Sequence, residues 1–473
     1  MNAVRVRKVL ILVALVLICF DTSRSQAPSE LSIQVGKVNE NMVVRSHPDE
    51  SYAVFLPNGY KPEQAWPTIF CLDPRARGNS AIARFVPAAE KYGYIVVCSN
   101  NSRNGLDWNS ISQIFMDLWD DTHSRLNIDG KRTYAAGFSG GSRLAATYAS
   151  RCRGCLAGVI GCGAGFPGDS PPNSKTTFAY FGLIGVDDFN FGEMWQLEKK
   201  LSQLPAPYQF QTFSGGHEWP PQEKIEQAIA WLTFLAMKNG LTVNDSKVIE
   251  DQFASRMATA DQLLAAQQYV DAQKALSSMV RDFQDLRDVK TVLARLNQLT
   301  NSEELKKEIK AEEELYRRQL REAGEIRTSW MQAPDPEQST PSRTVASSRL
   351  LEWKKKRELP VDSKDRRLAR RILTQLLIEA FETSQASLRK NDYTTALTNL
   401  QLAKEVDPKN ANAAYEIARI YGLKRQKQSA LQSLEEAISL GFKDVSRLKA
   451  EEAFSEITND PRYQKLVASI SNR

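Results

Sequence analysis

The chain has 473 residues, of which 42% are hydrophobic and 25% are charged, a composition typical of a globular protein with about two to four domains. The net charge of +6 is too small to indicate a nucleic-acid-binding protein. Only three histidines occur, at His47, His123 and His217, which excludes a histidine-rich metal site. We therefore expect neither a metal nor another cofactor.

Residues 1–25 have the features of a secretory signal peptide. Three basic residues precede the apolar run Val9–Phe20, which is too short to span a bilayer and has the length of a signal-peptide core. The small residues Ser23 and Ser25 place the predicted cleavage after Ser25. Removal of this segment takes away four positive charges and one negative charge, so the net charge falls from +6 to +3. We predict a secreted or periplasmic protein without a membrane span, with an N-terminal membrane anchor as the alternative.

Residues 28–240 alternate between predicted strands and predicted helices. The apolar runs rich in β-branched and aromatic residues are Tyr52–Leu56, Thr68–Leu72, Tyr94–Cys98, Thr133–Phe138, Leu156–Ile160, Phe178–Ile184 and Tyr208–Phe213. Stretches with helical periodicity lie between and after them, including Ile111–Leu126, Gly141–Ala149 and Gln222–Lys238. Such alternation predicts an α/β domain with a mostly parallel sheet covered on both faces.

Five cysteines remain after the predicted cleavage. Cys152 and Cys155 are separated by two residues and lie in a predicted connection, which indicates either a local disulfide or two free thiols. The odd number leaves at least one thiol unpaired among these and Cys71, Cys98 and Cys162.

From about residue 246 the strand signals end and helix-forming residues dominate. We predict a helical region over residues 246–331 and a linker rich in proline and serine over residues 332–345, because three prolines fall between residues 333 and 341. Residues 346–473 then form a second helical region.

A period of 34 residues is present in this second region. Ser384, Ala396, Leu400, Ala403 and Pro408 recur as Ala418, Ala430, Leu434, Ala437 and Phe442. This period with small residues resembles the tetratricopeptide repeat and predicts a protein partner, whereas a plain helical bundle is the alternative. The stretch Tyr269–Leu276 has the spacing of Tyr393–Leu400, which indicates a degenerate hairpin of the same kind within residues 246–331.

The segment Gly137–Gly141 matches the pattern G-x-S-x-G. A predicted strand leads into it and a predicted helix follows, which is the context of a nucleophile elbow, a sharp turn that exposes the serine. Ser139 is therefore the predicted nucleophile. A tight turn with an uninvolved serine is the alternative.

A serine needs a general base, and histidine has a suitable pKa. In this arrangement the chain order is serine, acid, histidine. His47 and His123 precede Ser139, so His217 is the candidate base. The acid should follow the preceding strand; we choose Asp188, with Asp187 as the near alternative.

The oxyanion of an acyl-transfer reaction needs two backbone donors. One is predicted to be the N–H of Gly140, directly after the nucleophile. The second should come from the loop after Thr68–Leu72. Pro74 has no N–H, so Arg75 is the predicted donor.

Four motifs together resemble a known family: Tyr52-Ala-Val-Phe-Leu-Pro57, Ile128-Asp129 with Arg132, Gly137-Phe-Ser-Gly-Gly141 and Gly215-Gly-His-Glu-Trp219. They are similar to secreted α/β-hydrolase esterases related to polyhydroxyalkanoate depolymerases, feruloyl esterases and dienelactone hydrolases. The resemblance covers roughly residues 40–240. It implies an α/β-hydrolase fold and hydrolysis of a small or polymeric carboxylic ester through an acyl-enzyme, with Ser139, Asp188 and His217 in the triad. The His-Gly usual after the third strand is Asp73-Pro74 here.

A second hypothesis belongs to another functional class. The repeats could carry the function of a scaffold, with the hydrolase domain weakly active or inactive.

Overall fold

A mostly parallel sheet of eight strands forms the N-terminal half of the computed structural model, which describes residues 33–243, 245–332, 340–360 and 363–471. The predicted signal peptide lies outside these residues. The strands are β1 Val38–Val43, β2 Ser51–Phe55, β3 Trp66–Leu72, β4 Ile95–Ser99, β5 Ile128–Phe138, β6 Gly158–Cys162, β7 Ala179–Gly185 and β8 Tyr208–Phe213. Their spatial order is β1-β2-β4-β3-β5-β6-β7-β8. Strand β2 pairs antiparallel with β1 and β4, and the remaining pairs are parallel.

The helices of this half are α1 Gly78–Ile82, α2 Val86–Tyr92, α3 Trp108–Arg125, α4 Gly140–Arg151, α5 Phe191–Leu201 and α6 Gln222–Lys238. Strands β4, β6 and β7 consist entirely of buried residues, as expected for parallel strands covered on both faces. The strand order and the intervening helices are those of the α/β-hydrolase fold. The predicted fold class of residues 28–240 is therefore confirmed.

Strand β1 was not predicted from the sequence. Its residues, Val-Asn-Glu-Asn-Met-Val, are half polar, and three of the six are exposed. The strand pairs only with β2 at the edge of the sheet, so it lacks the continuous apolar run that marks the central strands.

The C-terminal half is all-helical, also as predicted. Its helices are α7 Ser246–Ala265, α8 Tyr269–Phe283, α9 Lys290–Thr300, α10 Glu303–Met331, α11 Pro341–Arg357, α12 Lys364–Leu388, α13 Tyr393–Val406, α14 Ala411–Leu423, α15 Lys427–Ser439, α16 Val445–Ala450 and α17 Pro461–Ser471, with a 3₁₀ turn at Glu452–Ile457. Among the described residues, no helix combines the length and apolar character needed to cross a membrane.

The predicted linker over residues 332–345 ends earlier than expected. Helix α11 begins at Pro341, and the Thr340 side chain accepts a hydrogen bond from the Arg343 N–H. Proline is favourable at a first helical position because its missing N–H has no partner there anyway. Residues 333–339 lie outside the described residues.

The residues of the 34-residue period lie at contacts between helices. Ala396, Leu400 and Ala403 of α13 are fully buried, as are their counterparts in α15, Ala430, Leu434 and Ala437. Small side chains at these positions let neighbouring helices approach closely. Their identity as tetratricopeptide repeats stays a prediction.

A disulfide joins Cys152 and Cys155 just after α4, one of the two predicted alternatives. Cys71, Cys98 and Cys162 are free and buried. Burial raises the pKa of the Cys98 and Cys162 thiols well above the ordinary range, so both are inert thiols of the core.

The two halves share one hydrophobic core. Phe234 of α6 contacts Phe283 of α8 with ring centroids 4.8 Å apart, and Phe253 of α7 packs edge-on against the same ring at 5.2 Å. The indole N–H of Trp231 donates to Asp282 at 2.9 Å. The first helical hairpin is therefore packed onto the α/β domain rather than attached by a flexible tether.

We expect Phe283→Ala to lower the free energy of unfolding by about 3–5 kcal/mol, because it opens a cavity where both halves meet. Chemical denaturation of the full chain measures this loss. Leu293→Ala is the control, since Leu293 is 42% exposed and its truncation leaves no comparable cavity. Equal losses in the two variants would contradict the shared core.

Candidate active site

Ser139 lies at a sharp turn between β5 and α4. Its backbone φ is +53°, in the left-handed region that residues with a side chain rarely adopt. Glycine is required on both sides of this turn. A Cβ on Gly137 would lie 2.2 Å from the Gly141 carbonyl oxygen, and one on Gly141 would lie 2.1 Å from the Leu72 carbonyl oxygen. The sequence thus folds into the predicted elbow, which holds Ser139 in a strained backbone conformation and leaves it partly exposed.

The structure brings Ser139, His217 and Asp188 together. The Ser139 Oγ lies 2.9 Å from His217 Nε2, and His217 Nδ1 lies 2.9 and 3.0 Å from the two Asp188 oxygens. Asp188 follows β7 and His217 follows β8. Because parallel strands end at the same edge of the sheet, their loops meet above the elbow. A continuous hydrogen-bonded path therefore runs from the hydroxyl to a carboxylate.

Aromatic rings and burial limit the exposure of this path to water. The Phe138 and Phe189 rings flank His217, with centroid distances of 4.8 and 4.6 Å. The Asp188 side chain is fully buried. Burial raises the pKa of Asp188, while the hydrogen bond from His217 acts in the opposite direction. The Asn190 N–H also donates to the Asp188 carboxylate, at 2.9 Å.

Asp187, the alternative acid, has a different partner. Its carboxylate lies 2.6 Å from Nη1 of Arg370, in helix α12. Its backbone N–H donates to the Gly215 carbonyl at 2.9 Å. Of the two adjacent aspartates, Asp188 is the one that faces His217.

The two predicted oxyanion donors differ in their surroundings. Among the described residues, none accepts a hydrogen bond from the Gly140 N–H, which begins α4 and is therefore open to a ligand. The Arg75 N–H, in contrast, donates to the Asp73 carboxylate at 2.8 Å. The prediction for Arg75 is corrected by this contact: aspartate side chains commonly bind the N–H two residues further along in such turns.

Asp73 has a role that sequence reasoning missed. It is 2% exposed, and it accepts hydrogen bonds from Arg77 and, at 2.8 Å, from the Trp219 indole. Although burial favours the neutral form, the bonds from Arg77 and Trp219 prevail and lower the pKa of Asp73. We call residues 214–221, between β8 and α6, the histidine loop. Trp219 is two residues after His217, so Asp73 links the histidine loop to the loop after β3. The one feature of the sequence that could have indicated this role is the presence of Asp73-Pro74 in place of the usual His-Gly.

Asn104 is a second residue that the sequence did not single out. A Cβ on Gly140 would lie 1.9 Å from Asn104 Oδ1 and 2.9 Å from Nδ2, so this amide lies against Gly140. The Asn104 backbone N–H donates to the Pro74 carbonyl at 2.9 Å, which fixes the residue beside the loop after β3. No motif marks it, because it reaches the elbow only through the fold.

The other two histidines have other partners. His47 Nδ1 lies 3.0 Å from Asp117, and His123 stacks on Trp119 with a centroid distance of 4.2 Å. Neither contacts Ser139, in agreement with the argument from chain order.

No protein-family model and no curated protein matches this chain, whereas solved structures match its fold. An S-formylglutathione hydrolase from Staphylococcus aureus is 16% identical, with a TM-score of 0.33, over 39% of this chain and 90% of the other. A ferulic acid esterase is 22% identical, with a TM-score of 0.32, over 39% and 91%. An esterase from the archaeon Pyrobaculum calidifontis is 14% identical, with a TM-score of 0.35, over 43% and 87%. The solved structures that this chain is similar to thus include esterases and other serine hydrolases.

Proposed function

We propose that this protein is an exported serine hydrolase that cleaves a carboxylic ester through an acyl-enzyme. The observation that carries the proposal is the hydrogen-bonded path from the Ser139 hydroxyl through His217 to the buried Asp188 carboxylate. The three distances between nitrogen and oxygen along this path are 3.0 Å or shorter. Serine acyl transfer needs a strained elbow, a histidine within hydrogen-bond distance of the hydroxyl and a carboxylate hydrogen-bonded to the histidine.

In the first half of the reaction, His217 Nε2 takes the hydroxyl proton while Ser139 Oγ attacks the ester carbonyl carbon. Asp188 holds the imidazole in the tautomer that accepts at Nε2 and stabilises the imidazolium that forms. The tetrahedral intermediate then collapses, and His217 returns the proton to the departing alcohol. In the second half, water attacks the acyl-serine with the same base, which releases the acid and restores the serine.

The oxyanion of the intermediate forms beside Ser139, where the Gly140 N–H is open to it. We propose the side-chain amide group of Asn104 as the second donor, because it lies against Gly140 and the Arg75 N–H already donates to Asp73. A side-chain amide can serve in this role as well as a backbone N–H.

We expect Asn104→Ala to lower kcat for p-nitrophenyl acetate by about 10²- to 10³-fold, with little effect on KM, the usual cost of losing one oxyanion donor. Asn104→Asp should be worse, because it removes the donor and adds a negative charge. Asn109→Ala, in the exposed first turn of α3, is the control. Steady-state kinetics that leave Asn104→Ala within threefold of wild type would reject the assignment.

Export is part of the proposal and rests on two observations. Residues 1–25 have signal-peptide character, and Cys152 and Cys155 form a disulfide of the kind that persists in oxidising compartments.

The binding of a protein partner by residues 346–473 rests on the 34-residue period alone. Capture of a specific protein by the tagged full chain, lost when the helices that carry the period are altered, would test it.

The test of the function is covalent labelling of the purified mature chain with a fluorophosphonate probe. We expect one adduct, located on the peptide that contains Ser139 by mass spectrometry, and none on heat-denatured protein. A folded wild-type chain without this adduct would exclude the hydrolase and favour the scaffold hypothesis.

A further inference from the structure

The loop that carries the triad acid is held by helices from the other half of the chain. We call residues 186–191 the acid loop. Arg371 of α12 donates two hydrogen bonds to the Val186 carbonyl, at 3.0 Å from Nε and 2.6 Å from Nη2. Gln319 of α10 donates to the Phe189 carbonyl at 2.8 Å. The two contacts bracket Asp188, one on each side along the chain.

Arg371 is placed in this position at a cost. It is 1% exposed, its guanidinium lies 4.1 Å from the centre of the Phe191 ring, and burial lowers its pKa to about 10. It therefore stays protonated at neutral pH. A buried guanidinium is unfavourable unless its N–H groups are satisfied, and two of them are used on one carbonyl of the acid loop.

The Val186 carbonyl needs such a donor. Strand β7 ends at Gly185, so this carbonyl lies just beyond the end of the strand. Two residues later the chain must present Asp188 to His217 within hydrogen-bond distance. The planar guanidinium of Arg371 fixes the Val186 carbonyl through two hydrogen bonds. This limits the backbone rotations that would move the Asp188 carboxylate away from the His217 imidazole.

The same helix reaches further around the site. Arg370 pairs with Asp187 at 2.6 Å. Burial raises the pKa of Glu382, and the charges of Arg143 and His217 oppose that rise. At its end, Arg389 Nη1 lies 3.6 Å from the position of a Cβ on Gly105, next to Asn104. Helix α12 thus extends from the acid loop to the loop of the assigned oxyanion donor.

We propose that Arg371 is a positioning residue for the triad acid, so that the active site includes helix α12 of the helical half. This inference rests on the proposed function in naming Asp188 as the acid. It changes the role of the helical half: its helices α10 and α12 set the geometry of the hydrolytic site in addition to any partner that the repeats bind.

The experiment compares three variants of the full chain with wild type. Arg371→Met keeps the apolar stem and removes the donors. It also removes the Arg371 Nη1 that lies 3.7 Å from Glu312, but Glu312 keeps Arg367 at 3.0 Å as an ion-pair partner. Arg371→Lys restores one charged donor. Leu434→Ala truncates a fully buried residue of α15 outside the site, and so controls for lost stability alone.

We expect Arg371→Met to lower kcat for p-nitrophenyl acetate by about 10- to 100-fold with KM within twofold, since a misplacement of about 1 Å can cost 10²-fold. Arg371→Lys should recover part of kcat. Leu434→Ala should lower Tm but leave kcat unchanged. An Arg371→Met chain that keeps kcat within twofold, or an equal loss in Leu434→Ala, would overturn the proposal.

Amide hydrogen exchange of the acid loop gives a readout that does not depend on activity. Arg371→Met should exchange faster than wild type in the peptide covering residues 178–191, and Leu434→Ala should not. If Arg371→Met fails to fold, Gln319→Leu removes the second contact and should show the same change to a smaller extent. Unchanged exchange in the folded variant would overturn the inference. Failure of wild type to label at Ser139, with faster exchange in Arg371→Met, would instead overturn the proposed function and leave Arg371 as a structural contact of the acid loop.

Discussion

Ser139→Ala is expected to lower kcat for p-nitrophenyl acetate by about 10⁶-fold, the scale seen when a triad serine is removed. The reason is that the variant has no nucleophile at the elbow, while the oxyanion donors and the substrate contacts remain. The small background over the uncatalysed reaction should survive for that reason. Active-site titration before steady-state kinetics excludes contamination by wild-type enzyme.

The matched control is Ser150→Ala, in the same helix α4. Its hydroxyl donates to the Ala146 carbonyl, and the residue is exposed near the end of α4 opposite to Ser139, so kcat should not change. Ser139→Ala should also be no less stable than wild type, because the left-handed φ of +53° is strained for either residue. If Ser139→Ala kept more than about a hundredth of wild-type activity, the nucleophile would have to be another residue.

The second large effect is expected for Asp188→Asn, with Asp187→Asn as its adjacent control. Loss of the carboxylate lets the imidazole take the wrong tautomer, which costs about 10⁴-fold in kcat. Asp187 pairs with Arg370 rather than with His217, so its substitution should cost less than about tenfold. The reverse ranking in steady-state kinetics would assign the acid to Asp187.

The stability of Asp188→Asn should separate catalysis from folding. Burial raises the pKa of Asp188, so the folded chain holds this proton more tightly than the unfolded chain does. The contribution of this group to stability is therefore fully present at a pH below the unfolded pKa and is lost as the pH rises through the raised folded pKa. At neutral pH the neutral amide avoids the cost of a buried charge. We expect an Asp188→Asn Tm at pH 7 that is equal to or above that of wild type, and the difference in Tm should shrink as the pH is lowered and Asp188 takes up its proton.

The sequence allowed much of the active site to be predicted because its parts are local or limited in number. The elbow at Ser139 is a short motif with a strand before it and a helix after it. His217 followed from elimination, since the chain has only three histidines. The choice between Asp187 and Asp188 could not be decided in this way, because adjacent residues in a loop face directions that depend on the fold.

What could not be predicted depends on contacts between distant residues. The Arg75 N–H donates to the side chain of Asp73, two residues before it, in a turn that aspartate favours. Asn104 lies against Gly140 although 36 residues separate them in sequence. The contact between Arg371 and Val186 spans 185 residues, and a basic run on a helix gives no sign of it because such runs are usually solvated.

The distance in sequence between Val186 and Arg371 also orders events during synthesis. At about 5–20 residues per second, roughly 10–40 s pass between the translation of the acid loop and the translation of Arg371. A chain that ends before α12 contains the residues of the elbow, the sheet and the loop with His217, but it lacks the two donors to the Val186 carbonyl. We therefore expect a product that stops before α12 to carry all three triad residues and still be a poor enzyme.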